Sequence, residues 1–152
     1  MQLLTTFSCF TYLDPYRSIN KYELVQEFPG LKVHSGKAAG NEGKYLSSSA
    51  HSIDELKMKI PHFDYVFLSP IYTSLSKDKY SPKEVFEVET LEESERKKVV
   101  ALGGIEYSRL VDLRLQQFYN IALLGTIWNQ PKRALENFIK IKKEWESLAQ
   151  VY

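Results

Sequence analysis

The chain predicts an α/β fold built on a parallel sheet, and three observations carry that prediction. Short apolar runs rich in β-branched and aromatic residues recur along it, each closed by Gly, Pro, Asn or Ser. Two of them, Asp64-Tyr65-Val66-Phe67-Leu68 and Val99-Val100-Ala101-Leu102, are nearly continuous in apolar character, and the first reads as a strand buried on both faces. Segments with helix-start signals or three-and-four spacing lie between the runs, which is the alternation that builds βα units.

Taken in order, residues 1–10 read as a strand of Leu, Thr and Phe that ends before the turn-prone Asp14-Pro15. Residues 22–28 form a short helix closed by Pro29-Gly30, residues 31–34 a brief strand, and residues 35–43 a Gly/Ala/Asn/Lys loop. A strand follows over 45–48. Ser52-Ile53-Asp54-Glu55 is a capping box that opens a helix to about Lys59, stopped by Pro61. After the strand at 64–68, Ser69-Pro70 leads into a hydroxyl-rich loop ending in Lys77. Ser81-Pro82 and the charged run 84–98 give an N-capped start and a solvated helix. Gly103-Gly104 follows the next strand directly, so the backbone can approach a ligand closely before the helix of residues 106–118. Residues 120–124 read as a buried strand. Pro131 stands at a first helical position, and Leu135, Phe138, Ile141, Trp145 and Leu148 make a core-facing stripe.

A length of 152 residues suits one domain, 1–152, with a sizeable core. Lys plus Arg number 20 against 19 Asp plus Glu, a formal charge of +1, which points to neither nucleic acid nor a membrane surface. No window reaches transmembrane length, and residues 1–6 lack the basic lead and apolar core of a signal peptide, so a cytoplasmic protein is expected. Cys9 is the single cysteine and reads as a small buried hydrophobe.

Five pieces of the chain carry a resemblance. Ser49-Ala50-His51-Ser52, residues 64–72, Ser74-Leu75-Ser76-Lys77, Ala101-Leu102-Gly103-Gly104-Ile105 and residues 121–127 occur in the order and spacing of the thiamine phosphate synthase/TenI family, and together they resemble it. That resemblance implies a TIM-type (β/α)8 barrel, with the chemistry at the C-terminal ends of the strands. Such a barrel needs at least about 200 residues. Strands three to eight can be placed, the third as a remnant at residues 18–20, and no second βα unit fits between Thr11 and Arg17. The expectation is an incomplete barrel lacking about one βα unit near the N-terminus. Its exposed strand edge must be covered, closed by sliding, or paired with another copy in a homodimer through residues 1–20.

The resemblance also implies site residues. Gly103, Gly104, Leu124 and Gly125 match the loops after the last two strands that hold the thiazole phosphate, although tight βα turns also favour glycine by themselves. The family usually has a serine after the last strand, where Gly125 keeps only the backbone donor. Ser74, Ser76 and Lys77 match a Thr-x-Thr-Lys element whose hydroxyls contact the thiazole phosphate and whose lysine contacts the pyrimidine diphosphate; a solvated Ser/Lys loop is the plainer reading. Ser49 matches the serine near that diphosphate. His51 reads as a structural histidine at a strand end, His34 sits where the family has a histidine in its fourth strand, and His62 reads as surface; the three give no zinc pattern.

Magnesium is the expected cofactor of the family, bound by an Asn-Asp pair after the third strand and an Asp after the fourth. Here Asn20 is kept as a substrate-binding residue, but Lys21 follows it and Ala39 stands at the other carboxylate position. The implied reaction couples an aminopyrimidine methyl diphosphate to a thiazole phosphate, giving thiamine phosphate and pyrophosphate. Leaving-group stabilisation would dominate it, and the metal half of that machinery is unmatched. Two other readings stand beside it. One is a TenI-like thiazole tautomerase, whose catalytic histidine falls at Pro70 here; the other is a non-catalytic phospho-ligand binder.

Overall fold

The computed structural model describes residues 33–34, 45–73 and 85–151. The expected elements over 1–10 and 22–28, the remnant strand at 18–20, the gap after Thr11, the loop 35–43 and the 74–77 loop lie outside them. Within the unit Val33–Tyr152, five strands form one parallel sheet in sequential order: β1 (Val33–His34), β2 (Tyr45–Ala50), β3 (Tyr65–Leu68), β4 (Val99–Leu102) and β5 (Asn120–Ala122). The helices between and after them are α1 (Ile53–Lys59), α2 (Glu93–Arg96), α3 (Leu110–Leu115), α4 (Gly125–Trp128) and α5 (Ala134–Leu148). No described helix is long and apolar enough to cross a membrane.

Register sorts each strand into two faces, because side chains alternate with a period of two. Ser48, Val66, Val99 share one face with Ala50, Leu68, Ala101, and all six are buried. All but Ser48 pack in one core with Leu56, Ile60 and Phe63 around α1 and with Leu110, Leu113 and Phe118 around α3. Burying each such Leu or Phe contributes about 1.5–3 kcal/mol. The opposite, inner face carries Ser49, Phe67, Val100 and Asn120 one level apart from Ser47, Tyr65, Leu102 and Ala122, and except for Ser47 these are only half-buried.

Several expectations are corrected by this layout. The strand at 64–68 is not buried on both sides: β3 alternates half-buried Tyr65 and Phe67 with buried Val66 and Leu68, the two that join the core with residues of the described helices. The last strand is likewise half-buried and stops at Ala122. Its start is tied down by Asn120 Nδ2, which donates to the carbonyls of Lys97 (2.9 Å) and Val99 (3.1 Å). The charged run 84–98 contributes only α2, preceded by a 3₁₀ turn over Val88–Thr90. Phe86 and Val88 are both buried although residues two apart face opposite sides of an α-helix, and β-branched Val85, Val88 and Thr90 disfavour one. The helix expected over 106–118 begins as a 3₁₀ turn, continues as α3, and ends before Gln117, which takes φ 63°. Pro131 opens a 3₁₀ turn that leads into α5.

The stripe of α5 is also shifted. Ala134 and Ile141 are buried and Trp145 and Leu148 pack on the core, whereas Leu135 is 71% exposed and Phe138 40%. The capping box is half as expected. Ser52 Oγ accepts the Glu55 N–H at 3.1 Å, but the Glu55 carboxylate accepts the N–H of His51 (2.8 Å) in place of that of Ser52.

Candidate functional site

All strands run parallel, so the C-terminal ends of β1 to β5 define one edge of the sheet, where an α/β fold concentrates backbone groups for a ligand. Ser49 lies one residue before the end of β2. Gly103 and Gly104 follow β4 directly, and Leu124 and Gly125 follow β5, with Gly125 opening α4. Five of the expected site residues therefore stand on this edge. Asn20, Ser74, Ser76 and Lys77 lie outside the described residues, as do Lys21 and Ala39.

Hydrogen bonds stitch the edge together. The chain after β3 keeps pairing beyond the strand: the Ile71 N–H donates to the Leu102 carbonyl (3.0 Å) and the Tyr72 N–H to that of Gly103 (3.1 Å). This close approach is what the two glycines permit. Gly103 takes φ 101° and Gly104 φ 62°. A Cβ on Gly104 would run into the Thr73 carbonyl oxygen and stand 2.8 Å from Tyr72 Cβ. The helix expected directly after Gly104 starts only later, so the glycines serve the loop contact. On the other side, Thr126 Oγ donates to the Ile105 carbonyl, and Asn137 Nδ2 donates to the Thr126 carbonyl at 3.3 Å. The loops after β4 and β5 are thus joined through Thr126, a residue whose role has no motif to announce it.

The end of β2 is held by a clamp from α1. Lys59, 5% exposed, donates to the Ser49 carbonyl (2.5 Å) and to Glu55 Oε1 (2.6 Å), while Glu55 Oε2 holds the His51 N–H. Burial pushes the Glu55 carboxyl up, but hydrogen bonds from Lys59 and His51, with the lysine charge, outweigh it and hold the group below its ordinary 4.5. His51 Nδ1 lies 2.6 Å from the Ser69 carbonyl. A carbonyl can only accept, so that nitrogen carries the proton. This agrees with the structural role expected for His51, and the ring bridges the ends of β2 and β3. His62 is exposed, as expected.

Inside the edge, on the inner face, His34 Nδ1 is 3.0 Å from Ser47 Oγ and its Nε2 is 3.3 Å from Ser49 Oγ. Spacing alone could not bring them together, because they lie on different strands, His34 and Ser47 being 13 residues apart. Magnesium fits poorly among these groups. The donors are hydroxyls, imidazoles and backbone groups, whereas magnesium takes carboxylate oxygens, and among the described residues no cluster of three His, Cys, Asp or Glu side chains could hold a metal.

Comparisons with known proteins bear on the family and the fold. The family described as thiamine monophosphate synthase matches residues 30–127. No curated protein matches significantly. Among solved structures, thiamine phosphate pyrophosphorylase from Bacteroides thetaiotaomicron is similar at 27% identity and a TM-score of 0.56, over 87% of this chain and 68% of that one. The α/β fold is accordingly of the TIM-barrel type, and the described strands form an open arc of it. With the family match spanning β1 to β5 and the glycine turns on the sheet edge where such a barrel binds its ligands, the chain belongs to the thiamine monophosphate synthase family.

Proposed function

We propose that the chain works on the thiamine phosphate synthase reaction, coupling an aminopyrimidine methyl diphosphate to a thiazole phosphate with release of pyrophosphate. The observation that supports it best is the placement of Gly103-Gly104 and Leu124-Gly125 on neighbouring strands β4 and β5, at the edge where barrels of this type hold a phosphate. In this reading those loops bind the thiazole phosphate and Ser49 faces the pyrimidine ligand. Ser74, Ser76, Lys77 and Asn20 complete the contacts, with Lys77 offsetting charge that grows on the leaving pyrophosphate. Positioning and charge stabilisation do the work, and no step is assigned to magnesium.

Purified protein incubated with both substrates is expected to form thiamine phosphate. A second reading, a phospho-ligand binder without turnover, is favoured by one feature, the Lys21 and Ala39 that replace the family's carboxylates. Thiazole phosphate binding with no thiamine phosphate formed would select it. Isomerisation of the thiazole phosphate without coupling would select the tautomerase, despite Pro70 at the position of its catalytic histidine.

A further inference from the structure

The inner face holds a chain of side-chain contacts that crosses three strands, hydrogen-bonded between β1 and β2 and aromatic between β1 and β3. His34 at the end of β1 meets Ser47 Oγ with Nδ1 (3.0 Å) and Ser49 Oγ with Nε2 (3.3 Å), so both ring nitrogens are engaged by hydroxyls of β2. Phe67 of β3 meets the same ring edge-on, with centroids 5.3 Å apart, and Tyr65 meets Phe67 in turn at 5.5 Å. Ser47 is 1% exposed and stands opposite Tyr65 in the register of β2 and β3. The imidazole is thus held at two edges by hydroxyls and against an aromatic ring, which fixes its plane. Ser49 is only half-buried and lies nearer the C-terminal edge.

A serine hydroxyl rotates freely unless a partner selects one direction. The fixed Nε2 supplies that partner, so the remaining hydrogen-bonding capacity of Ser49 is aimed away from His34. Ser47 lies deeper, two residues back on the same face, and the contact it offers is to the ring.

Resting on the synthase reading above, we infer that His34 is a positioning residue: held by Ser47, it orients the Ser49 hydroxyl to hydrogen-bond the nitrogen-bearing ring of the pyrimidine ligand. His34 touches no substrate in this scheme and acts through Ser49 alone. A covalent role for Ser49 is not part of it, since the other ring nitrogen is taken up by the Ser47 hydroxyl.

The test is a double-mutant cycle on affinity, with aminopyrimidine methyl diphosphate as probe and inorganic pyrophosphate as control. Ser49→Ala and His34→Phe are each expected to weaken the aminopyrimidine probe about tenfold, the loss of one oriented hydrogen bond. The double variant should be no weaker than either single one, and pyrophosphate affinity should hold throughout. Ser47→Ala, a smaller change, should give a partial loss if His34→Phe folds poorly. Additive losses, or equal loss of pyrophosphate affinity, would show a merely structural network and overturn the inference. Imidazole ¹⁵N spectra of the ligand-free protein give an independent readout, in which Ser49→Ala should shift the His34 Nε2 resonance. An indifferent resonance overturns the relay while leaving the synthase reading intact. Wild-type protein that binds neither probe overturns the synthase reading and the ligand role of Ser49 with it.

Discussion

Gly104 sets the tolerance of the edge at the scale of single residues. Its φ of 62° is costly for any side chain, and an added Cβ would meet backbone, the carbonyl of Thr73, which cannot rotate away. Gly104→Ala is therefore expected to lower stability by about 1–3 kcal/mol in urea unfolding, and to weaken thiazole phosphate binding besides. An unchanged midpoint would mean that the Thr73 backbone yields easily. The glycine pair itself was legible from its position after an apolar run. Its partner was not, because which backbone a glycine admits depends on a neighbouring strand.

Among the elements, α1 and β2 are joined by the Lys59–Glu55 clamp. Glu55 has its carboxyl depressed in the folded protein, so it contributes stability above its unfolded value near 4.5, and that contribution is lost as pH falls through the lower folded value. Glu55→Gln should thus be less stable than wild type at neutral pH, and the difference should close as pH falls through the lowered folded value. A difference independent of pH would mean that packing, not the charge, carries the effect. The sequence held the Ser52 cap but not this use of Glu55, because the carboxylate passes over the cap to reach His51. In α5, Ile141 is 4% exposed and Leu135 71%. Ile141→Ala is expected to cost about 2–4 kcal/mol, and Leu135→Ala less than about 0.5 kcal/mol, as judged by thermal or denaturant unfolding. Helical spacing allowed a stripe through Leu135 or one through Ala134, and contact with the core selects the second.

On the scale of the whole molecule, the resemblance puts Lys21 and Ala39 at the positions of the family's metal carboxylates, and the described residues hold no group of three His, Cys, Asp or Glu side chains fit for a metal. Thiazole phosphate affinity should accordingly change less than about twofold when magnesium is chelated, a result calorimetry can check; strict magnesium dependence would require carboxylates from elsewhere. An apolar run among the first ten residues motivates a second expectation. Leu3, Leu4, Phe7 and Phe10 form an apolar run without a charged gatekeeper, so the protein should associate through the face around residues 1–20. Light scattering should show a dimer at high concentration, and a strict monomer with full amide protection of residues 3–10 would show that the chain covers its own edge.

By itself, the sequence determined the parallel α/β organisation, the positions of the glycine turns and the family, since apolar runs, capping residues and loop glycines are local signals with fixed periods. Tertiary structure alone decided which face of each strand is covered, which stripe of α5 enters the core, and which side chains meet across strands. The His34–Ser47–Ser49 chain, the reach of Lys59 to Ser49 and the Thr126 tie between loops are contacts between elements, and they exist only once helices have chosen one face of the sheet and register has aligned the strands.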